Sequence, residues 1–135
     1  MVTVRRSIAV QAIVTEKLKE ELKAELEEAI ETTQRRIDQM EFQSRRFLAD
    51  LQRTDLTQAM GARRQIEAEK RRQEAIIQDL RKQAEEAEKL ELGAEFPRGT
   101  LEGVVDIKEG DDLFNKLSAS QIVIKDGIVL EVREA

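Results

Sequence analysis

Four carboxylates lie close together in the sequence between Asp106 and Asp112, and carboxylate oxygens are the ligands that Mg²⁺ and Ca²⁺ prefer. Their spacing lacks the alternating ligand positions of a calcium-binding loop, and no phosphate-binding motif accompanies them. The segment Glu109-Gly110-Asp111-Asp112 is instead typical of a turn followed by a helix N-cap. The sequence therefore predicts a structural role for these carboxylates.

Arginine side chains are the second group that could bind a ligand, because guanidinium groups recognise phosphate and carboxylate with paired hydrogen bonds. Residues 35–72 include ten basic and six acidic side chains, whereas residues 15–34 have three basic and seven acidic, and residues 73–92 have three and six. The middle of the chain is therefore locally basic. A solvated helix face or ion pairing between antiparallel helices would also explain this pattern. We predict seven candidate interaction residues: Arg45, Arg46, Arg53, Arg63, Arg64, Arg71 and Arg72.

Several kinds of chemistry are excluded by composition. The chain has no cysteine and no histidine, so it lacks thiol nucleophiles, zinc–thiolate sites and imidazole acid–base relays. It also lacks the P-loop, dinucleotide-binding, nucleophile-elbow and HExxH motifs. We therefore expect a protein that is not an enzyme, with no catalytic residues, no cofactor, no metal and no small-molecule substrate.

The amount of material for a core is small, because 38% of the 135 residues are charged and only 3% are aromatic. We therefore expect an elongated chain, an oligomer, or both. The net charge of −5 gives no general nucleic-acid signal. No segment approaches the ~18 consecutive apolar residues of a membrane span, and the short run Ser7–Val14 lacks the length and cleavage site of a signal peptide. We expect a cytoplasmic protein without membrane association.

The stretch from Thr15 to Leu92 has no proline and is rich in helix formers, and Thr15 is placed to cap its start. An apolar stripe recurs every 11 residues at first and every seven later, which predicts two helices out of phase. Four acid-first pairs are expected to support these helices: Glu31–Arg35, Glu41–Arg45, Glu67–Arg71 and Glu85–Lys89. The first stripe includes Leu18, Leu22, Leu26, Ile30, Ile37, Met40, Phe47, Leu48, Leu51 and Ala59, and the second includes Ile66, Gln73, Ile77, Leu80, Ala84 and Ala87.

The two helices are expected to fold back as a hairpin. One continuous helix would be about 115 Å long and would leave the terminal β segments unpaired. The turn is predicted within residues 53–61. Thr54-Asp55 lies at the midpoint with a capping pair, while Met60-Gly61 has the only glycine of the stretch, and both positions remain open.

Alternating apolar residues predict β strands at both ends of the chain, first at Ile8–Val14 and again at Leu101–Ile107. Gly93, Pro97 and Gly99 are expected to form a connector. A short helix near residues 111–117 is expected to bury Leu113, Phe114 and Leu117.

Asp126-Gly127 between two β-branched runs predicts a two-residue hairpin. This hairpin would place Ile124 opposite Val129 and Val123 beside Leu130. Because both of its faces are partly apolar, we expect it to be covered.

The resulting fold class is α+β, with a long antiparallel, coiled-coil-like helical hairpin projecting from a small β module. Residues 1–14 are the N-terminal strand segment of that module, residues 15–92 the helical hairpin, and residues 93–135 the C-terminal part of the module with the short helix.

Four segments resemble the YlqD family of small bacterial proteins: Val10–Leu22, Leu92–Phe96, Glu102–Asp111, and Ile122–Arg133 with its Lys-Asp-Gly hairpin. The similarity spans nearly the whole chain and is least specific in the helical middle. The resemblance implies no catalytic or binding residues that could be transferred.

Two functions are predicted. The first is a structural or interaction protein that self-associates through its helical seam as a homo-oligomer, or binds a protein partner. The second is an RNA- or ribosome-associated factor that uses an arginine-rich hairpin tip.

Overall fold

The computed structural model describes residues 1–118 and 120–134 and confirms the predicted α+β class. A helical hairpin is combined with a four-stranded mixed sheet built from both ends of the chain. Residues 21–89 form one compact unit, and residues 1–20 with the chain from Leu90 onward form the other. The elements are β1 (Val2–Ile13), α1 (Glu16–Thr54), α2 (Leu56–Glu88), β2 (Glu95–Ile107), α3 (Leu113–Ser118), β3 (Gln121–Lys125) and β4 (Ile128–Arg133).

The sheet has the strand order β2-β1-β3-β4, with β1 antiparallel to β2 and parallel to β3. Two predicted boundaries were wrong. β1 begins at Val2 rather than Ile8, and β2 begins at Glu95, so Pro97 and Gly99 lie inside a strand rather than in a connector. An edge strand tolerates proline, because the missing N–H is lost only on the outer side of the sheet.

The hairpin between β3 and β4 turns at Asp126 and Gly127, whose φ angles of 49° and 85° are the left-handed values that a type I′ turn requires. Ile124 lies opposite Val129, as predicted. The pairing of Val123 with Leu130 was wrong. Val123 lies opposite Glu131, because Leu130 is an extra residue at which the register shifts.

The start of α1 and the break between the two long helices are both capped by side chains. The Thr15 hydroxyl accepts a hydrogen bond from the Leu18 N–H at 3.1 Å, which confirms the predicted N-cap. The break lies at Asp55, whose carboxylate accepts from the Gln58 N–H at 3.1 Å. Gly61 is inside α2, so the turn is not at Met60-Gly61.

The antiparallel register of α1 and α2 is given by two ion pairs, Glu41 with Lys70 and Lys23 with Glu88. In each pair the residue numbers add up to 111, so the chain reverses at Asp55 without a loop. Residues whose numbers add up to about 111 therefore lie opposite each other along the hairpin.

The apolar stripes form the seam between the helices. Ile37 and Thr33 of α1 and Ala59, Ile77 and Ala87 of α2 are buried. Phe47 was wrongly assigned to the stripe, because its side chain is 54% exposed. The Thr33 hydroxyl donates to the Ala29 carbonyl at 2.8 Å, which satisfies this polar group within its own helix.

The segment before α3 has the predicted turn and cap. The Asp111 carboxylate accepts from the Lys108 N–H and from the Lys116 ammonium, each at 2.9 Å, and Asp112 accepts from the Asn115 N–H. The Lys116 ammonium and the Lys108 N–H lower the pKa of Asp111. The predicted burial of Leu113 and Phe114 was wrong, since both side chains are exposed. Of the three apolar residues predicted to be buried in α3, only Leu117 is partly buried.

Candidate interaction surface

The seven candidate arginines separate into two groups by their ion pairs. Arg71 lies 4.0 Å from Glu67 and Arg72 lies 3.2 Å from Glu69, both within α2. The Glu67–Arg71 pair is the only one of the four predicted i,i+4 pairs that the described residues form within 4.0 Å. Because these side chains are largely exposed, the pairs add little stability. They do place a carboxylate beside each of these two guanidinium groups.

Lys70 explains why the predicted pair of Glu41 and Arg45 does not form. Its ammonium lies 2.5 Å from a carboxylate oxygen of Glu41 across the seam and 4.0 Å from Glu74. The hydrogen bond with Glu41, and then its charge, raise the pKa of Lys70. Glu41 therefore forms its ion pair with Lys70 of the other helix, and it does not pair with Arg45 of its own helix.

The five other arginines lie in residues 44–66, which we call the tip segment. Arg45, Arg46, Arg53, Arg63 and Arg64 are all exposed, and none has a carboxylate within ion-pair distance among residues 1–118 and 120–134.

The carboxylates of the tip segment do not offset these charges. The segment has only two acidic residues, Asp50 and Asp55. Asp55 is occupied as the cap of α2. Ion pairing between the helices therefore does not explain the arginines of the tip segment.

A groove of about 330 Å³ runs along one side of the hairpin and opens to solvent. Because the groove is lined from both helices, it shows that Arg45 and Arg63 lie on the same side, across the seam from each other. The apolar side chains of Leu48 and Ile66 line the same groove as these two arginines. The remaining lining residues are Glu41, Ser44, Glu67 and Lys70.

Large apolar side chains are exposed beside these arginines, and the sequence reasoning missed them. Leu56 and Met60 are exposed and share a face of α2 with Arg63, because their spacings of four and three residues return to the same side of a helix. Phe47 of α1 is also exposed within the segment. The available signal was that Leu56 and Met60 fall outside both apolar stripes.

The tip segment therefore combines arginine with exposed Phe, Leu and Met side chains. It contains no lysine, since none occurs between Lys23 and Lys70. Protein-binding surfaces are enriched in arginine, aromatic residues and methionine and depleted in lysine. The composition of the segment matches that of a protein interface more closely than that of a general solvated face.

Comparison with known proteins relates this architecture to a family. The family model described as YlqD protein matches residues 2–133. The chain belongs to the YlqD family. It is 32% identical over 127 residues to the uncharacterized protein YlqD of Bacillus subtilis (strain 168), and the match covers 94% of each chain. The predicted family resemblance is thereby confirmed.

The fold of this YlqD family member also occurs in a crystal structure of a protein of unknown function from Synechococcus sp. WH 8102. The two share 26% sequence identity with a TM-score of 0.87, over 98% of this chain and 95% of that one. The descriptions of both relatives name no substrate or partner. None of the helices in the described part of the chain is long and apolar enough to cross a membrane.

Proposed function

We propose that this YlqD family member is a non-enzymatic interaction protein that binds an acidic surface of a partner protein through its tip segment. The observation that carries this proposal is the set of five exposed arginines without a carboxylate partner in the described residues. Such groups are ready to pair with carboxylates on another molecule, because no internal ion pair has to be broken first.

Exposed apolar side chains favour a protein as the partner. Leu56, Met60 and Phe47 lie among the arginines, and an apolar contact at the centre of a charged surface is typical of protein interfaces. The helical seam is occupied within the chain, as shown by the burial of Ile37 and Ile77. A partner is therefore expected to bind the outside of the hairpin.

An RNA- or ribosome-associated factor is the second candidate, favoured by the local excess of arginine. The five arginines and two acids of residues 44–66 give a local charge of +3, and RNA phosphates would be attracted to it. Base stacking would have to rely on Phe47 alone in this segment, which argues against readout of a single strand.

The test is photo-crosslinking in host cells from a reactive amino acid placed at Gln52, followed by mass spectrometry. We expect a protein whose crosslinked site is acidic, and we expect its recovery to fall at least tenfold in the double variant Arg45→Glu/Arg63→Glu. The matched control is Arg81→Glu/Lys82→Glu, which makes the same charge change on α2 outside the tip segment. Equal recovery of the same proteins with both double variants would contradict the proposal.

RNA binding is measured separately, by titrating labelled RNA at low and moderate salt. An affinity that falls steeply with salt and vanishes in Arg63→Glu/Arg64→Glu would support the second candidate and count against the first. No measurable RNA binding, together with a tip-dependent protein crosslink, is the result that we expect.

A further inference from the structure

The strand β4 exposes apolar side chains on both faces of the sheet. Ile128, Val129, Leu130 and Val132 are between 55% and 70% exposed, and we call these four residues the β4 surface. β4 is an edge strand, and no other strand of residues 1–118 and 120–134 pairs with its outer side. The sequence-based expectation that this hairpin would be covered is not met by the residues that the structure describes.

The opposite edge of the sheet is more strongly protected than β4, although β4 also has a bulge, at Leu130. β2 contains Pro97, an extra residue at Arg98 that shifts its register, and the charged residues Glu102 and Asp106. Proline, bulges and charges prevent strands of other chains from pairing with an edge. β4 has neither proline nor lysine.

The charges that β4 does have are neutralised within the sheet. The Arg133 guanidinium lies 3.2 Å from Glu131 and 2.6 Å from Glu95. Hydrogen bonds with Glu95 and then Glu131 raise the pKa of Arg133. A second β4 strand approaching this edge would therefore meet paired charges and apolar side chains, and it would not be repelled by like charge.

We propose that the β4 surface is where a second copy of this chain docks, with the two β4 strands side by side and antiparallel. A partner has to approach from the edge, because only then does it cover apolar side chains on both faces. Two copies related by a two-fold axis present identical strands in opposite directions, so each β4 supplies the apolar cover that the other lacks. This self-association uses a different surface from the tip segment and does not depend on the proposed function.

The small area of the β4 surface determines how tightly two copies of the chain are expected to associate. Four side chains on a six-residue strand bury less than the ~800 Å² per partner of a standard stable interface. The extra residue at Leu130 also interrupts regular pairing. We therefore expect a dimer that dissociates in the micromolar range rather than a permanent one.

Sedimentation of the full chain over a concentration series tests the dimer. We expect the wild-type mass to rise from monomer toward dimer, and Leu130→Lys to weaken association at least tenfold while its circular dichroism spectrum stays unchanged. Val104→Lys is the matched control, because Val104 is an apolar residue on the opposite edge strand that is at least as exposed as Leu130. A wild-type protein that stays monomeric up to hundreds of micromolar would overturn the proposal. So would an equal weakening of dimer association in Leu130→Lys and Val104→Lys.

Disulfide trapping provides a second measurement that does not depend on a destabilising charge. The chain has no cysteine of its own, so a single cysteine reports one position. With antiparallel strands centred between Leu130 and Glu131, Leu130→Cys would lie near its counterpart, whereas Ile128→Cys would lie about 17 Å from its own. Oxidised dimer from Leu130→Cys but not from Ile128→Cys is expected, and the reverse pattern or no dimer from either variant would contradict this arrangement.

Discussion

The hydroxyl of Thr15 donates a hydrogen bond to the Asp126 carboxylate at 2.7 Å and also accepts one from the Leu18 N–H at 3.1 Å. One side chain thereby caps the start of α1 and joins it to the turn between β3 and β4, 111 residues further along the sequence. The end of β1, the beginning of α1 and the C-terminal hairpin are connected at a single position.

Replacing Thr15 tests this connection. Thr15→Val keeps the shape of the side chain and removes its hydroxyl, so both hydrogen bonds are lost, and we expect the free energy of unfolding to fall by about 1–2 kcal/mol. Thr15→Ser keeps the hydroxyl and should stay close to wild type. Chemical denaturation measures both variants, and a Thr15→Val protein as stable as Thr15→Ser would show that the cap contributes nothing.

Two adjacent isoleucines distinguish the seam from the outside of the hairpin. Ile77 is 4% exposed and Ile76 is 45% exposed. Ile77→Ala should lower the free energy of unfolding by about 2–4 kcal/mol, because it leaves a cavity between the helices. Ile76→Ala is the control, and it should lower the free energy of unfolding by less than half as much as Ile77→Ala does. Thermal unfolding followed by the helical circular dichroism signal measures both variants. A larger loss of stability in Ile76→Ala than in Ile77→Ala would show that α2 does not turn its Ile77 face toward α1.

Gln73 is a polar residue in the seam whose side-chain oxygen is buried without a hydrogen-bond partner among the described residues. Its amide nitrogen donates to Glu69 at 2.9 Å. Since a buried acceptor without a donor is destabilising, Gln73→Leu is expected to raise the free energy of unfolding by about 1 kcal/mol. Gln78→Leu, at an exposed position of the same helix, serves as the control. A lower melting temperature for Gln73→Leu than for wild type would show that the glutamine is needed for packing.

Asp111 gives a prediction for acidic pH. Its pKa is lowered from the ordinary value of 3.8, first by the hydrogen bond with Lys116 and then by the Lys108 N–H. The folded protein therefore favours the charged form. This stabilisation is fully present when the pH is above the unfolded-state pKa of 3.8. It is lost as the pH falls below 3.8 and through the lower pKa of the folded state.

The matching experiment compares wild type with Asp111→Asn over a pH series. The melting temperature of the variant should be lower at neutral pH, and the difference between the two proteins should shrink in acid below about pH 4. A difference that stays constant down to the most acidic sample would mean that the Asp111 carboxylate is not the group responsible.

The parts of the fold that followed from sequence are those governed by local rules. Thr15 as a cap and Asp126-Gly127 as a turn each depend on a few neighbouring residues, and both were correct. The extension of β2 through Pro97 was missed, because a proline is tolerated only once the strand is known to lie at an edge.

The candidate surface was predicted in part, for a related reason. Sequence located the arginines and paired Arg71 with Glu67, but it also paired Arg45 with Glu41, so it did not show which arginines lack a carboxylate. For Arg45 the outcome depends on Lys70 taking Glu41 across the seam, which no pattern within one helix contains. The exposure of Leu130 and Val132 was also missed, because an apolar strand alone does not reveal whether its own chain supplies a cover.

The break between α1 and α2 consists of the single residue Asp55, so the hairpin has no loop that could absorb a change in the length of one helix. A residue inserted in one arm would rotate everything beyond it by about 100° and move its apolar stripe off the seam. Lengths that preserve the contact are whole repeats of roughly seven or 11 residues, added to both arms together. Natural variants of this protein with longer or shorter hairpins should therefore differ by matched insertions placed symmetrically about Asp55.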